Sequence, residues 1–232
     1  MSDVVVIGGT GQQGFGLALR WAFAGKSVTI GSRDPERAAS AAERILQAAR
    51  TANLPVPTVM GLENADAAAD APTIVVAVPL AAQIATMKAI KEHIRSGALI
   101  IDVTVPLATA IGGRASRVLG LPAGSAAEQA AEYAPPGTQV MSAFHFLSAD
   151  LLAQIGPDGP VPVECDVVAC GGDAAAQGIV RGLALAIEGA RYIHAGPLAS
   201  SRLVESAAAL LIAINVRHKV RHAGMRISGV VD

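Results

Sequence analysis

The sequence predicts an α/β protein built on a doubly wound parallel sheet, and three observations predict it. Short β-rich runs alternate with alanine-rich helical stretches along 232 residues, the pattern of strand–helix–strand units with right-handed crossovers. The strand candidates are apolar throughout rather than alternating, as strands covered on both faces are. A glycine-rich loop, Gly8-Gly9-Thr10-Gly11-Gln12-Gln13-Gly14, joins the first strand candidate to the first helix.

The elements follow in order. VVVIG at 4–8 opens the sheet, and LALRWAFAG at 17–25 is a run of good helix formers. SVTIGS at 27–32 is the second strand candidate. Asp34-Pro35-Glu36 then starts a helix with an N-cap, a proline at the first helical position and an acid in the first turn. PERAASAAERILQAAR at 35–50 carries that helix on, with apolar residues three and four apart. TIVVAVP at 73–79, the helical AAQIATMKAIKEHI at 81–94 and ALIIDVT at 98–104 form the next unit. Ser125 and Glu128 make a capping box, and Pro135-Pro136 stop the helix they begin. TQVMSAF at 138–144 is the fifth strand candidate.

Beyond about residue 150 the pattern loosens. IGPDGPVPVE at 155–164 is a proline- and glycine-rich loop. DVVACGG at 166–172 and ARYIHAG at 190–196 are further strand candidates with a helix between them, and a last helix spans about 198–220. Ser200 or Ser201 is expected to cap that helix and Arg202 to pair with Glu205 inside it. The chain thus divides into residues 1–150, a nucleotide-binding unit, and residues 151–232, a smaller C-terminal lobe ending in a long helix or an extension of the same sheet.

Composition narrows the function classes. The formal net charge is −1 and lacks the basic excess of a nucleic-acid binder. Hydrophobic residues make up 52%, enough for a sizeable core. Cys165 and Cys170, five apart in an extended run, point to opposite faces and do not pair with each other. Neither belongs to a CxxC pair, so no metal site is expected. Asp3 leads straight into a strand candidate, so no signal peptide is expected, and the longest apolar run, 207–214, is too short to span a bilayer. A cytoplasmic protein with neither membrane nor nucleic-acid partners is expected.

Gly9-x-Gly11-x-x-Gly14 follows a strand and opens a helix, the setting a Rossmann-type dinucleotide fingerprint requires. Gly9 permits the turn, Gly11 lets backbone approach a pyrophosphate, and Gly14 allows helix to pack on strand. The amides of Thr10, Gly11, Gln12 and Gln13 then face phosphates at a helix N-terminus. The end of the second strand distinguishes NAD from NADP: an acid there binds the ribose hydroxyls of NAD. This chain has Ser32 and Arg33, with Arg37 one turn on, groups suited to a 2′-phosphate. Asp34 is the competing acid, but its place before Pro35 suits helix capping. NADP(H) is therefore expected.

The segments reaching the carboxyl ends of the strands are Val78-Pro79-Leu80, Val105-Pro106-Leu107 and residues 144–149, where a nicotinamide should lie. His145 is the titratable group there: a proton donor, a polar contact to a substrate ring, or a structural histidine. No Tyr-x-x-x-Lys pair, metal-binding His-Glu-x-x-His or Gly-x-Ser-x-Gly elbow is present. Hydride transfer between two stacked rings needs none of these, because proximity and orientation supply the catalysis. RHKVRHAGMR at 217–226 is a basic stretch, suited either to an anionic substrate tail or to a solvated helix end.

Four stretches carry a resemblance: GGTGQQGFGLALR at 8–20, GSRDPER at 31–37, VMSAFHFLSA at 140–149 and AGPLASSRLVES at 195–206. In family order along the chain, they resemble the NADPH-dependent reductases of the deazaflavin coenzyme F420. The resemblance implies reversible hydride transfer between NADPH and F420, with Thr10, Gly11, Gln12 and Gln13 on the pyrophosphate and Ser32, Arg33 and Arg37 on the 2′-phosphate. It implies Val78, Val105 and Ala149 near the nicotinamide, His145 beside the deazaflavin, and a homodimer using the C-terminal helix. Relatives can carry an isoleucine–proline pair after the histidine, where this chain has Phe146-Leu147-Ser148. The other readings are an NADPH-dependent flavin or small-ketone reductase with His145 as proton donor, and a non-catalytic NADPH-binding redox sensor.

Overall fold

A computed structural model describes residues 2–230. The chain runs β1 (Val4–Ile7), α1 (Gln12–Phe23), β2 (Val28–Ser32), α2 (Pro35–Thr51), β3 (Val59–Glu63), α3 (Asn64–Ala68), β4 (Thr73–Val76), α4 (Leu80–Ile90) and β5 (Leu99–Asp102). It continues through α5 (Ala126–Tyr133), β6 (Gln139–Ser142), α6 (Ala149–Leu152), a hairpin of β7 (Ile155–Gly156) and β8 (Gly159–Pro160), β9 (Cys165–Gly171), α7 (Ala174–Leu185), β10 (Ala190–His194) and α8 (Ser201–His218).

Eight strands form one sheet in the order β10-β9-β6-β5-β4-β1-β2-β3. The six from β3 to β6 are mutually parallel, with Val5 opposite Thr29 on one side and Ile74 on the other. β1, β4 and β5 are buried along their whole length. Their side chains divide by parity, because successive residues of a strand face opposite ways. Val4 and Val6 join the core under α1 and α2, whereas Val5 and Ile7 join the core under α3 and α4. That is why these runs show no polar alternation.

The C-terminal third extends this sheet. β9 pairs antiparallel to β6 through Met141–Gly171 and Ser142–Cys170, and β10 lies parallel to β9. The tail then runs back beside β9: Asp166 N donates to Met225 O at 2.8 Å, and Ile227 N donates to the Asp166 carboxylate at 2.6 Å. Arg191 holds the same buried carboxylate with two bonds of 2.8 Å. Cys165 and Cys170 are both free and buried.

The sequence reading missed β3 and α3. β3 is an edge strand that is only half covered, and its Gly61 has no side chain to signal a strand; a Cβ there would lie 2.2 Å from the Ala38 carbonyl carbon of α2. The last helix differs as well. It opens with a 3₁₀ turn at Leu198–Ser200, and Ser200 at the N-cap makes no side-chain cap bond. Glu205 turns inward instead of pairing with Arg202. By length and composition Leu198–His218 is long and apolar enough to cross a membrane, unlike the apolar run 207–214 considered alone. One of its faces packs into the core through Val204, Ala208 and Leu211.

Candidate active site

The glycine loop leaves β1 through Gly8, whose φ of +79° is the left-handed conformation that glycine adopts freely. A Cβ on Gly8 would also meet Ala77 O at 2.6 Å. The position that demands backbone freedom is thus Gly8, not Gly9 as the spacing suggests. Gly9 and Gly14 answer to packing: a Cβ on Gly9 would sit 2.9 Å from Val6 O, and one on Gly14 would sit 2.7 Å from Gly8 O. Gly11 is different. It has ordinary extended φ and ψ, and a Cβ there would touch only Gly8 O at 3.3 Å. The fold asks little of this glycine, and the open space beside it suits close approach of a ligand. Gly11 caps α1, so the amides at the start of the helix have no intrahelical acceptor and face outward. No acidic residue occupies that first turn.

Beside the loop, β2 delivers Ser32 and the chain then presents Arg33 and Arg37, both exposed. Asp34 is engaged as the N-cap of α2, with Oδ1 accepting from Glu36 N at 3.0 Å and Arg37 N at 3.2 Å. Ser32 Oγ accepts from Asp34 N at 3.2 Å. Thr10, Gly11, Ser32, Arg33, Arg37, Val78 and Pro79 line one cavity of about 440 Å³. Asn64 lines it too; the residue is buried and its Oδ1 has no hydrogen-bond partner among the described residues. The sequence reading overlooked Asn64, which follows the unrecognised strand β3.

A second cavity of about 600 Å³ adjoins the first and shares Gly11, Val78 and Pro79 with it. It adds Gln12, Gln13, Thr104 and Val105. A third, of about 480 Å³, shares Gln12, Gln13 and Val105 with the second and is closed by His145, Ala149 and α8. One cleft therefore runs along the carboxyl ends of the parallel strands, and every site residue expected from the sequence borders it except Gly9 and Gly14, which stand behind the loop. Asn215, Arg221 and Ala223 also border the third cavity. They arrive there because Ser148 Oγ donates to Arg221 O at 3.1 Å and Ala223 N donates to Asn215 Oδ1 at 2.9 Å.

His145 lines the third cavity. Both ring nitrogens are buried, and among the described residues neither makes a well-formed hydrogen bond, the Thr104 backbone being a nearby polar group. Burial pushes its pKa down to about 4, with the nearby Thr104 backbone acting in the other direction. The imidazole is neutral at pH 7, so it offers one N–H donor and one acceptor and a poor proton source. A flat heterocycle with polar edges would satisfy both nitrogens. Two further polar groups matter here: Asp102, for which the apolar run 98–104 suggests no role beyond the strand, and Glu205, expected only to pair with Arg202. Asp102 ends β5 and Glu205 lies in α8, and burial pushes both pKa values up to about 7.

A six-strand parallel array, a glycine loop at its first strand, a pair of arginines beside the second and one continuous cleft along the strand ends define a Rossmann-type oxidoreductase. Residues 3–106 match the family described as NADP oxidoreductase, coenzyme F420-dependent. The F420-dependent NADP reductase of Methanothermobacter thermautotrophicus is 43% identical over 230 residues, 99% of this chain and 96% of that protein. The reductase of the same name from Methanothermobacter marburgensis is 42% identical over 99% of both chains. A solved structure from Arthrobacter sp. FB24, provisionally assigned as an F420-dependent NADP-reductase, superposes with a TM-score of 0.77 at 25% identity, covering 98% of this chain and 100% of its own. The chain belongs to the F420-dependent NADP oxidoreductase family.

Proposed function

We propose that the protein transfers hydride reversibly between NADPH and coenzyme F420, with the two rings held face to face in the cleft. The observation that carries this reading is the continuity of the three cavities, from the arginine pair through the Val78–Val105 region to His145. Arg33, Arg37 and Ser32 hold the 2′-phosphate, and the loop from Thr10 to Gln13 holds the pyrophosphate. Val78, Pro79, Val105 and Ala149 seat the nicotinamide, and His145 makes a polar contact to the deazaflavin. NADPH supplies the hydride. The protein supplies orientation; the hydride step itself needs no side chain to give or take a proton, and the proton that neutralises the reduced ring is taken from solvent.

Residues 1–150 form the NADP(H)-binding unit in this reading, and residues 151–232 complete the second-ring site. The protein acts as a cytoplasmic homodimer with small-molecule partners. Exposed Leu203 and Leu210, seven apart on α8, supply an apolar stripe for the dimer. A neutral His145 weighs against a ketone reductase that uses it as proton donor. Absorbance assays with NADPH and either F420, FMN or FAD test the function. Loss of F420 absorbance is expected, and reduction of flavin alone overturns the reading. Light scattering after gel filtration tests the dimer, with Leu210→Glu expected to give monomers.

A further inference from the structure

Asp102 and Glu205 are 0% and 1% exposed, and the proposed hydride transfer requires neither as an acid or base. Burying a carboxyl group is costly; burial raises both pKa values to about 7, and the hydrogen bonds each group makes offset only part of that cost. Glu205 reaches from α8 to the start of α5, where it accepts from Ala126 N at 2.9 Å and Ala127 N at 3.1 Å. The carbonyl of the same Ala126 accepts from Gln83 Nε2 on α4 at 2.9 Å. That amide also donates to Asp102 Oδ1 at 2.9 Å, while Gln83 Oε1 accepts from Gln129 at 2.7 Å. Asp102 in turn accepts from the Thr104 hydroxyl at 3.0 Å and from Thr104 N at 3.2 Å, on different oxygens. The Thr104 hydroxyl lies 3.3 Å from Val78 O.

The two ends of this chain of bonds are the two walls of the site. Ala208 and Leu211, one and two turns beyond Glu205, line the third cavity. Val78 and Thr104 line the second. We propose that Glu205 and Asp102 are positioning residues: through Ala126 and Gln83 they hold the α8 wall of the second-ring cavity in register with the Val78–Thr104 wall of the nicotinamide cavity, and so set the separation of the two rings. The inference rests on the assignment of those cavities to the two rings. Hydride transfer is steep in separation, and a misplacement of about 1 Å can cost roughly 100-fold.

The test is a double-mutant cycle on the single-turnover rate of F420 reduction, with NADPH affinity measured on the same variants. Glu205→Gln leaves one acceptor for two N–H groups. Asp102→Asn keeps the acceptor for Gln83 and the Thr104 hydroxyl but sets an amide N–H₂ against Thr104 N. Each is expected to slow the chemical step about tenfold, and the double variant no more than either alone, because groups in one network are not additive. NADPH affinity should fall much less than the rate, since Arg33, Arg37 and the glycine loop are untouched. Gln83→Leu cuts the chain between two intact carboxylates; it is expected to slow the step equally and to abolish the coupling. Multiplicative effects, an unchanged rate, or coupling that persists with Gln83→Leu, as direct charge repulsion would, each overturn the proposal. If Glu205→Gln does not fold, Glu205→Asp, which keeps the charge but withdraws it from the amides, takes its place. Failure of the unsubstituted protein to reduce F420 overturns the cavity assignment instead, so the two failures are distinct.

Discussion

Gln13, in the first turn of α1, donates from Nε2 to the carbonyl oxygen of Phe144 at 3.2 Å, across 131 residues of sequence. This bond joins the glycine loop to the segment that carries His145. Phe144 itself is fully buried with φ of +68°, and its ring meets Trp21 edge-on with centroids 5.4 Å apart. A left-handed backbone at a bulky residue is costly and persists only where packing enforces it. The donor half and the acceptor half of the cleft are thus tied at a strained, well-packed point.

Gln13→Ala removes the tie without opening the core. Stability should fall by about 1 kcal/mol, the typical net worth of one hydrogen bond. The rate of hydride transfer should fall further than NADPH affinity does. Stopped-flow single turnovers beside equilibrium NADPH binding check this, and equal losses in both would count against it.

Arg33→Ala should weaken NADPH binding roughly 10- to 100-fold, as expected for a charged hydrogen bond of about 1.5–3 kcal/mol. NADH binding should change little, since it has no 2′-phosphate. Because Asp34 is engaged in capping α2, Asp34→Ala should cost about 1 kcal/mol of stability and leave the NADPH/NADH preference in place. Steady-state kinetics with both nucleotides, alongside thermal melts, separates the two roles.

Gly11→Ala and Gly14→Ala make a matched pair. Alanine at Gly14 drives a Cβ against the Gly8 backbone at 2.7 Å, whereas at Gly11 the only neighbour is Gly8 O at 3.3 Å. The first variant should therefore melt near the unsubstituted protein yet bind NADPH poorly. The second should lose on the order of 1–3 kcal/mol of stability as overpacking. Calorimetry and NADPH titration of the two proteins give the comparison, and normal binding by Gly11→Ala would refute the close-approach role.

His145 gives a pH signature. Its folded pKa of about 4 lies below its ordinary 6.5, so between these values the unfolded chain binds more protons than the folded one. Stability from this group therefore rises with pH across that window and is flat above it. The stability difference between the unsubstituted protein and His145→Asn should climb from pH 4 to 6.5, by at most about 1.4 kcal/mol per unit. Urea denaturation at several pH values measures it. Asp102 and Glu205, raised to about 7, act with the opposite sign in both proteins and cancel in the difference.

Much of the fold was legible because its signals are local. Apolar runs such as TIVV at Thr73–Val76 are buried on both faces, and Asp34 caps α2 as its neighbours Pro35 and Glu36 imply. β3 was not legible, since an edge strand with a glycine at its centre lacks both apolar continuity and β-propensity. The residues bordering the cleft near Gly11, Ser32 and Val78 could be named because each ends a recognisable strand or opens a helix. Asn64 could not, since the strand that delivers it went unseen.

The parallel array, the glycine loop and the cations at the end of the second strand are written in local sequence, because each depends on residues within a few positions of one another. Long-range packing settles that β9 joins β6 antiparallel and carries the C-terminal third into the same sheet. It also settles that Glu205 caps a helix 78 residues away rather than pairing along its own, and that His145 loses water on both ring nitrogens. Those outcomes follow from long-range burial: desolvation and distant backbone partners set the state of a side chain, and neither is encoded in its neighbours.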